Sequence, residues 1–486
     1  MIVINRALAR LFVSVLRRSL TEPHARLHPA WLLCRTDGEG LMIYAEAGMV
    51  GVSYRTPGRP PPDTLVFNAS VLEAIGGRGE DLILFESAGK HKGRARWQDG
   101  HIPCVQEFQT RSPEEVPQAP TLPKRWATLP PSFLLAFDEA AQTAAVDATK
   151  FALTRVHLHG KLGQIVATDS KQALLQSGYH FPWDDVVLVP SICAFSLREL
   201  AQENTIRIAR TNKMVCLQAG PWNFFLGIDT TGKPPPVHEI VPKAQGITCR
   251  AQLHPEDMTF LAAALPRLPG RKEENAPVTL DLQRSVSVRA REGASKTVTE
   301  IKLARSTIEG RPQCLAINRI YLERALKLGL TEIQVVNPSK PIVFRDKSRL
   351  YISMTLIPDT VVPPSDNAVR ISSATDRPRE KKTERVSDPQ PVTPRRISNM
   401  APRNNNHHSP QEHPINGPQN GANNGAAQPG GPNVMQLLDE VEQIRAVLQD
   451  ALGRVTHLHG ALKQFRRHGK AMEDAMKSLR GLNFAG

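Results

Sequence analysis

The chain has 486 residues and a formal net charge of +14, with 40 prolines, 32 glycines and 40% hydrophobic residues. That length exceeds one ordinary core and sets an expectation of two to four domains, while the basic balance suits a polyanionic partner. The six cysteines (Cys34, Cys104, Cys193, Cys216, Cys249, Cys314) lie far apart with no C-x-x-C pair. That excludes a zinc ribbon and a small disulfide scaffold, and fits reduced thiols in a cytoplasmic protein. Arg6 and Arg10 interrupt the N-terminal apolar run and no long uncharged apolar stretch follows, so neither a signal peptide nor a membrane span is expected.

Residues 4–20 carry Ile4, Leu8, Leu11, Phe12, Val15 and Leu16 at helical spacing, with Arg6, Arg10 and Arg17 on another face. Short strands are expected at 31–34, 41–46 and 50–54, a helix after Asn68, then a strand at 82–87, a basic hairpin and a strand at 102–108. The same order returns twice. A helix at 130–144 opens the second unit and one at 255–268 the third, and each unit has a second strand-then-helix segment, at 187–200 and 315–328. The first helices start near 4, 130 and 254; the second begin at Asn68, Pro190 and Asn318, spaced by 122 and 128 residues. Two independent landmarks keep one period. A helix followed by alternating strands, twice per unit, predicts an α+β architecture of antiparallel sheets with helices on one face.

Residues 366–432 are rich in Pro, Asn, Gly and His and are expected to be disordered. From Val434 to Leu479, apolar residues then fill a and d positions of seven heptads, broken in register by Gly469, which predicts a coiled coil. No phosphate-binding glycine loop is present. His157 and His159 share a strand face without a third ligand nearby, which favours a structural pair over a metal site. Asp169 lies in a Thr-Asp-Ser turn, where a backbone-bonding role outweighs a catalytic one. No nucleophile, base and orienting group are tied together by spacing, so a binding protein is expected, not an enzyme, with no cofactor.

Three strings carry a family resemblance. Residues 164–175 form a strand, a turn at Thr168-Asp169-Ser170 and a second strand, carrying the string Ala167-Thr168-Asp169; Asn318, Tyr321, Leu322, Ala325 and Leu326 form N-x-x-Y-L-x-x-A-L; and Tyr351 to Leu356 form a terminal Y-I-S-M-T-L. With the threefold period, these resemble the bacterial sliding clamp, the β subunit of DNA polymerase III, over about residues 1–358. The resemblance implies three clamp domains at 1–120, 121–246 and 247–360; outside the family pattern, composition and heptads add a disordered linker at 361–432 and a coiled-coil helix at 433–483. The resemblance further implies a homodimer closed head to tail, with helices lining the hole around double-stranded DNA and sheets outside.

A ring that slides should touch phosphates and not bases, since backbone contacts carry affinity without sequence preference. The residues so implied are Arg6, Arg10, Arg17, Arg198, Arg324 and Lys327, with Arg26 in a loop resembling one that touches DNA. A groove between domains 2 and 3 would take a short peptide from a polymerase, clamp loader or repair protein. Carried over, that groove comprises Leu158, Thr168, Ser170, Lys171, Gln172, Ala173, Pro235, Glu239, Ile240, Ile352, Ser353, Met354, Thr355 and Leu356. Gln172 and Glu239 stand where the family has arginine, and Thr355 where it has proline. The dimer edge would bring Trp97 opposite Leu265 and Leu268. The alternative is a divergent clamp-like scaffold outside replication, assembling an unknown partner through its coiled coil.

Overall fold

The structure, a computed structural model, describes residues 1–20, 30–146 and 151–374. Arg26, the linker from 375 onward and the heptads at 433–483 lie outside the described residues.

Each repeat opens with a strand before its first helix: Ile2–Asn5, Ala127–Leu129 and Cys249–Gln252. This corrects the expectation of a helix from Ile4. Ile2 and Ile4 are buried while Val3 between them is exposed, a period of two that only a strand satisfies. The helices follow at Arg6–Ser19, Ser132–Ala141 and Pro255–Ala264. The Asn5 side chain caps the first by accepting from the Leu8 amide at 2.7 Å. Asn68 and Asn318 cap Ala69–Ile75 and Arg319–Lys327 in the same manner, accepting from Ser70 and Ile320 at 2.9 Å. The second repeat lacks such a cap. There the expected helix is a 3-10 turn at Ala194–Ser196 and one short α-turn at Arg198–Ala201, separated by the extended Leu197.

The strands form a twelve-stranded, a nine-stranded and a five-stranded sheet. Two of these run across the boundary between repeats. Trp222–Leu226, in the last strand of the second repeat, pairs antiparallel with Val50–Tyr54 of the first. Arg349–Ser353, the last strand of the third, pairs antiparallel with Gln172–Gln176 of the second. Each joint contains five residue pairs and uses the same two strand positions within the repeat. The five-stranded sheet, in the third repeat, ends with Thr299–Lys302 followed by Val369–Ser372 in parallel. The chain expected to be unstructured from 361 is thus ordered through this strand. Pairing with a distant edge, and not local composition, supplies its backbone partners.

One apolar cluster runs through the first two repeats and a second fills the third. Phe12 stacks on Trp222 with ring centroids 5.6 Å apart, and Tyr54 meets the same indole edge-on at 4.8 Å, which fills the first joint. At the second joint, Arg324 reaches across to donate to the Glu139 carbonyl at 2.5 Å and the Thr143 hydroxyl at 2.8 Å. Gln176 Nε2 donates to the Ala136 carbonyl at 2.6 Å nearby.

Candidate functional site at the joint of the second and third repeats

The turn at Thr168–Lys171 is built by its own side chains. Asp169 Oδ1 accepts from the Lys171 and Gln172 amides, both at 2.8 Å, and Oδ2 accepts from Gln172 Nε2 at 2.9 Å. The Thr168 hydroxyl donates to the Gln172 carbonyl at 2.6 Å and accepts from the Ser170 amide at 3.1 Å, while Ser170 takes a φ of 82°. Asp169 is therefore fully engaged as a turn former. Gln172 also ties the two repeats together, since its Oε1 accepts from the Tyr351 hydroxyl at 2.5 Å. The turn's other end is fixed by the Met354 amide, which donates to the Lys171 carbonyl at 2.9 Å.

Above this joint lies a small apolar cluster of Val166, Ala173, Leu175, Val237, Val343 and Ile352, contributed by both repeats. Ala173 and Ile352 face each other in the strand register. Met354 and Ile240 follow cluster residues closely in sequence and are 45% and 47% exposed. These two are free to meet an incoming apolar group. Lys171, Ser170 and Glu239 are exposed; Pro235, Gln172, Thr355 and Leu356 are half-buried.

Leu158 does not belong to this surface. On Arg155–His159 the alternation turns Val156 and Leu158 into the helix-side core, and Leu158 is completely buried there. Thr168 and Ser353 are also buried, leaving their hydroxyls to internal bonds. Val166, Leu175, Val237 and Val343 take the apolar role instead. For Val166 and Leu175 the signal was the period-two pattern of strands 164–168 and 172–177, which puts them with Ala173 on one face.

His157 is buried and donates from Nε2 to the Ala152 carbonyl at 2.9 Å. His159 meets the ring of His238 at 5.0 Å, and burial, then the neighbouring imidazoles, push its pKa down to about 4. It is neutral at neutral pH. Among the described residues no three His, Cys, Asp or Glu side chains are grouped to hold a metal ion.

The basic residues divide by environment. Arg10, Arg17, Arg198 and Lys327 are exposed on the helices; Arg17 pairs with Glu73 and Lys327 with Glu323 at 2.6 Å. Such exposed pairs are weak and leave the cations available. Arg6 and Arg324 are not available in that way. Arg6 Nη1 is 2.8 Å from Asp99 Oδ1 and its Nε donates to the Ile75 carbonyl, while Arg324 is spent at the second joint. Sequence spacing gave no warning, because Asp99 and Glu139 are remote in the chain. Arg18, also exposed on the first helix, reaches Ser196 Oγ at 2.9 Å across the first joint.

Trp97 is half-buried against the core of the first repeat. Leu265 and Leu268, whose region is expected opposite Trp97 at the dimer edge, are core residues of the third repeat, 0% and 6% exposed. They follow directly on the helix Pro255–Ala264, whose apolar side they extend inward.

Three repeats, each with paired helical segments on one side of antiparallel sheets that continue from repeat to repeat, define the sliding-clamp fold. Solved structures bear this out. The β subunit of DNA polymerase from Streptococcus pyogenes superposes with a TM-score of 0.61 at 15% identity, covering 73% of this chain and 99% of that one. The sliding clamp (DNA polymerase III subunit beta) of Pseudomonas aeruginosa bound to griselimycin gives 0.60 at 16% identity, covering 73% and 98%. The DNA polymerase III beta subunit of Thermotoga maritima gives 0.59 at 16%, covering 73% and 99%. No family model matches the chain, and no curated protein matches it in sequence. At these identities the likeness is one of fold. Among the described residues no helix is long and apolar enough to cross a membrane.

Proposed function

We propose that this protein is a homodimeric DNA sliding clamp: it encircles duplex DNA without reading sequence and tethers a polymerase or repair protein, performing no chemistry of its own. The observation that carries this reading is the way sheets continue across both internal joints through the same two strand positions. A third use of those positions, between two copies, makes a closed ring. Exposed Arg10, Arg17, Arg18, Arg198 and Lys327 on the helices supply a basic, sequence-indifferent lining.

The test is topological. Protein assembled on a nicked circular duplex is expected to stay through gel filtration, and to be lost when the circle is linearised. Equal loss from both forms would sink the reading and favour a scaffold that does not enclose DNA.

The apolar cluster at the second joint is the peptide-binding groove in this reading, with Met354 as its adaptable edge. Replacing exposed Met354 by Glu should weaken capture of a fluorescein-labelled peptide bearing Leu and Phe anchors by about tenfold or more, because one buried apolar anchor contributes about 1.5–3 kcal/mol. Fluorescence polarisation reads the loss, and unchanged circular dichroism excludes unfolding. Full-strength binding by Met354→Glu would place the groove elsewhere.

A further inference from the structure

The two internal joints define which edges remain for closure. In the joints, Val50–Tyr54 and Gln172–Gln176 occupy one strand position of their repeats, and Trp222–Leu226 and Arg349–Ser353 occupy the other. The first repeat's counterpart of Arg349–Ser353 is identified by register. Thr110 faces Phe67 just before the capping Asn68, as Thr355 faces Ile317 just before the capping Asn318. That places Ile102–Arg111 in the joining position, and among the described residues its outer edge is paired only at Thr110 and Arg111. Ile102 and Val105 on it are 67% and 61% exposed. The complementary position in the third repeat is Thr299–Lys302, and that edge is not free: Val369–Ser372 is paired along it.

Resting on the clamp reading, we propose that Val369–Ser372 is a guard strand: it occupies the third-repeat edge that must receive Ile102–Arg111 of a second copy, so the ring closes there only after this strand leaves. Its attachments suit a removable cover. The chain is anchored firmly upstream at Val362, 4% exposed, whose amide donates to Thr279 Oγ1 at 2.7 Å and whose carbonyl accepts from Arg289 Nε at 3.0 Å. Beyond it the side-chain hydrogen bonds and ion pairs of the strand lie mostly at exposed positions, the Ser373 bond to buried Asp257 excepted. Val369 and Ser373 amides donate to the Val298 and Lys302 carbonyls at 2.8 and 3.0 Å, and Arg370 Nε lies 3.2 Å from Glu300 Oε2. The Ser373 hydroxyl donates to Asp257 Oδ1 at 2.6 Å and accepts from the Ala304 amide at 2.9 Å. Val369 and Ile371 remain 52% and 41% exposed, so little apolar surface holds the strand down. Four parallel pairs also compete poorly with the five antiparallel pairs found at each internal joint. An unguarded edge is a template for strand addition, and covering it withholds that template.

The test uses the full chain, with hydrogen–deuterium exchange of residues 102–109 followed over a concentration series. Protection of that edge reports its pairing, whatever the tail does. Val369→Pro with Ser373→Pro removes both amide donors; Arg370→Glu with Ser373→Ala is a second variant that keeps the backbone intact. Both are expected to protect 102–109 at least about tenfold below the parent's concentration, since each variant removes at least three of the hydrogen bonds that hold the closed guard. Protection at the parent's concentration overturns the guard while leaving the ring standing. A higher concentration requirement makes the strand part of the joint and also overturns it. No protection in any of the three proteins sinks ring closure itself, and the guard with it.

Discussion

Arg289→Ala should be among the most damaging single changes in the third repeat, with an expected loss of about 3–5 kcal/mol. Arg289 is 1% exposed, and its guanidinium bonds Asp281, reaches Glu300 at 3.3 Å and donates to the Val362 carbonyl at 3.0 Å. Desolvation works against this cation, but the bonds to Asp281 and the nearby negative charges raise its pKa on balance. Truncation leaves Asp281 and Glu300 without their buried counter-charge and frees a carbonyl on the segment that leads to the edge strand. Urea denaturation of parent and variant measures the loss, and Arg289→Lys, which keeps charge but not the fork of donors, should fall between them. A loss below about 1 kcal/mol would mean that solvent reaches the site.

Trp222→Ala should cost about 3–5 kcal/mol as well, by leaving a cavity that its neighbours cannot close. Trp222 is 2% exposed, is stacked by Phe12 and met edge-on by Tyr54, and is the first residue of the strand that joins the second repeat to the first. The cavity would therefore open at the joint itself. Denaturation should show the lost stability, and limited proteolysis should show cleavage separating the first two repeats, which share one core in the parent. Trp222→Phe, which retains an aromatic face, should lose less. An unchanged digestion pattern in Trp222→Ala would assign the cohesion of the joint to its backbone ladder.

Much of the repeat was legible because its signals are local. Asn68 and Asn318 announce their helices through a side chain that reaches an amide two residues away, and Asp169 builds its turn within three residues. The alternation at Ile2 to Ile4 was equally local, but it abuts a helical apolar pattern that shares Ile4, and the longer period obscured the shorter. Near the second joint, Met354 and Ile240 are exposed apolar residues, whereas Leu158, expected beside them, is buried on the core face of its strand.

Charge and edges belong to the tertiary structure. Nothing near Arg6 in sequence foretells Asp99, nor anything near Arg324 the carbonyl of Glu139, so two cations expected to face a polyanion are spent inside the molecule. The segment 366–374 has a composition that cannot bury a core, yet its residues 369–372 are ordered by the backbone edge of Thr299–Lys302. By itself the sequence determined the period, the caps and the turn, because each depends on dihedral preferences and hydrogen bonds within a few residues. Which cations stay free and which strand edges stay open was decided only by the fold, because a salt bridge or a strand pair depends on partners that the chain brings together from distant positions.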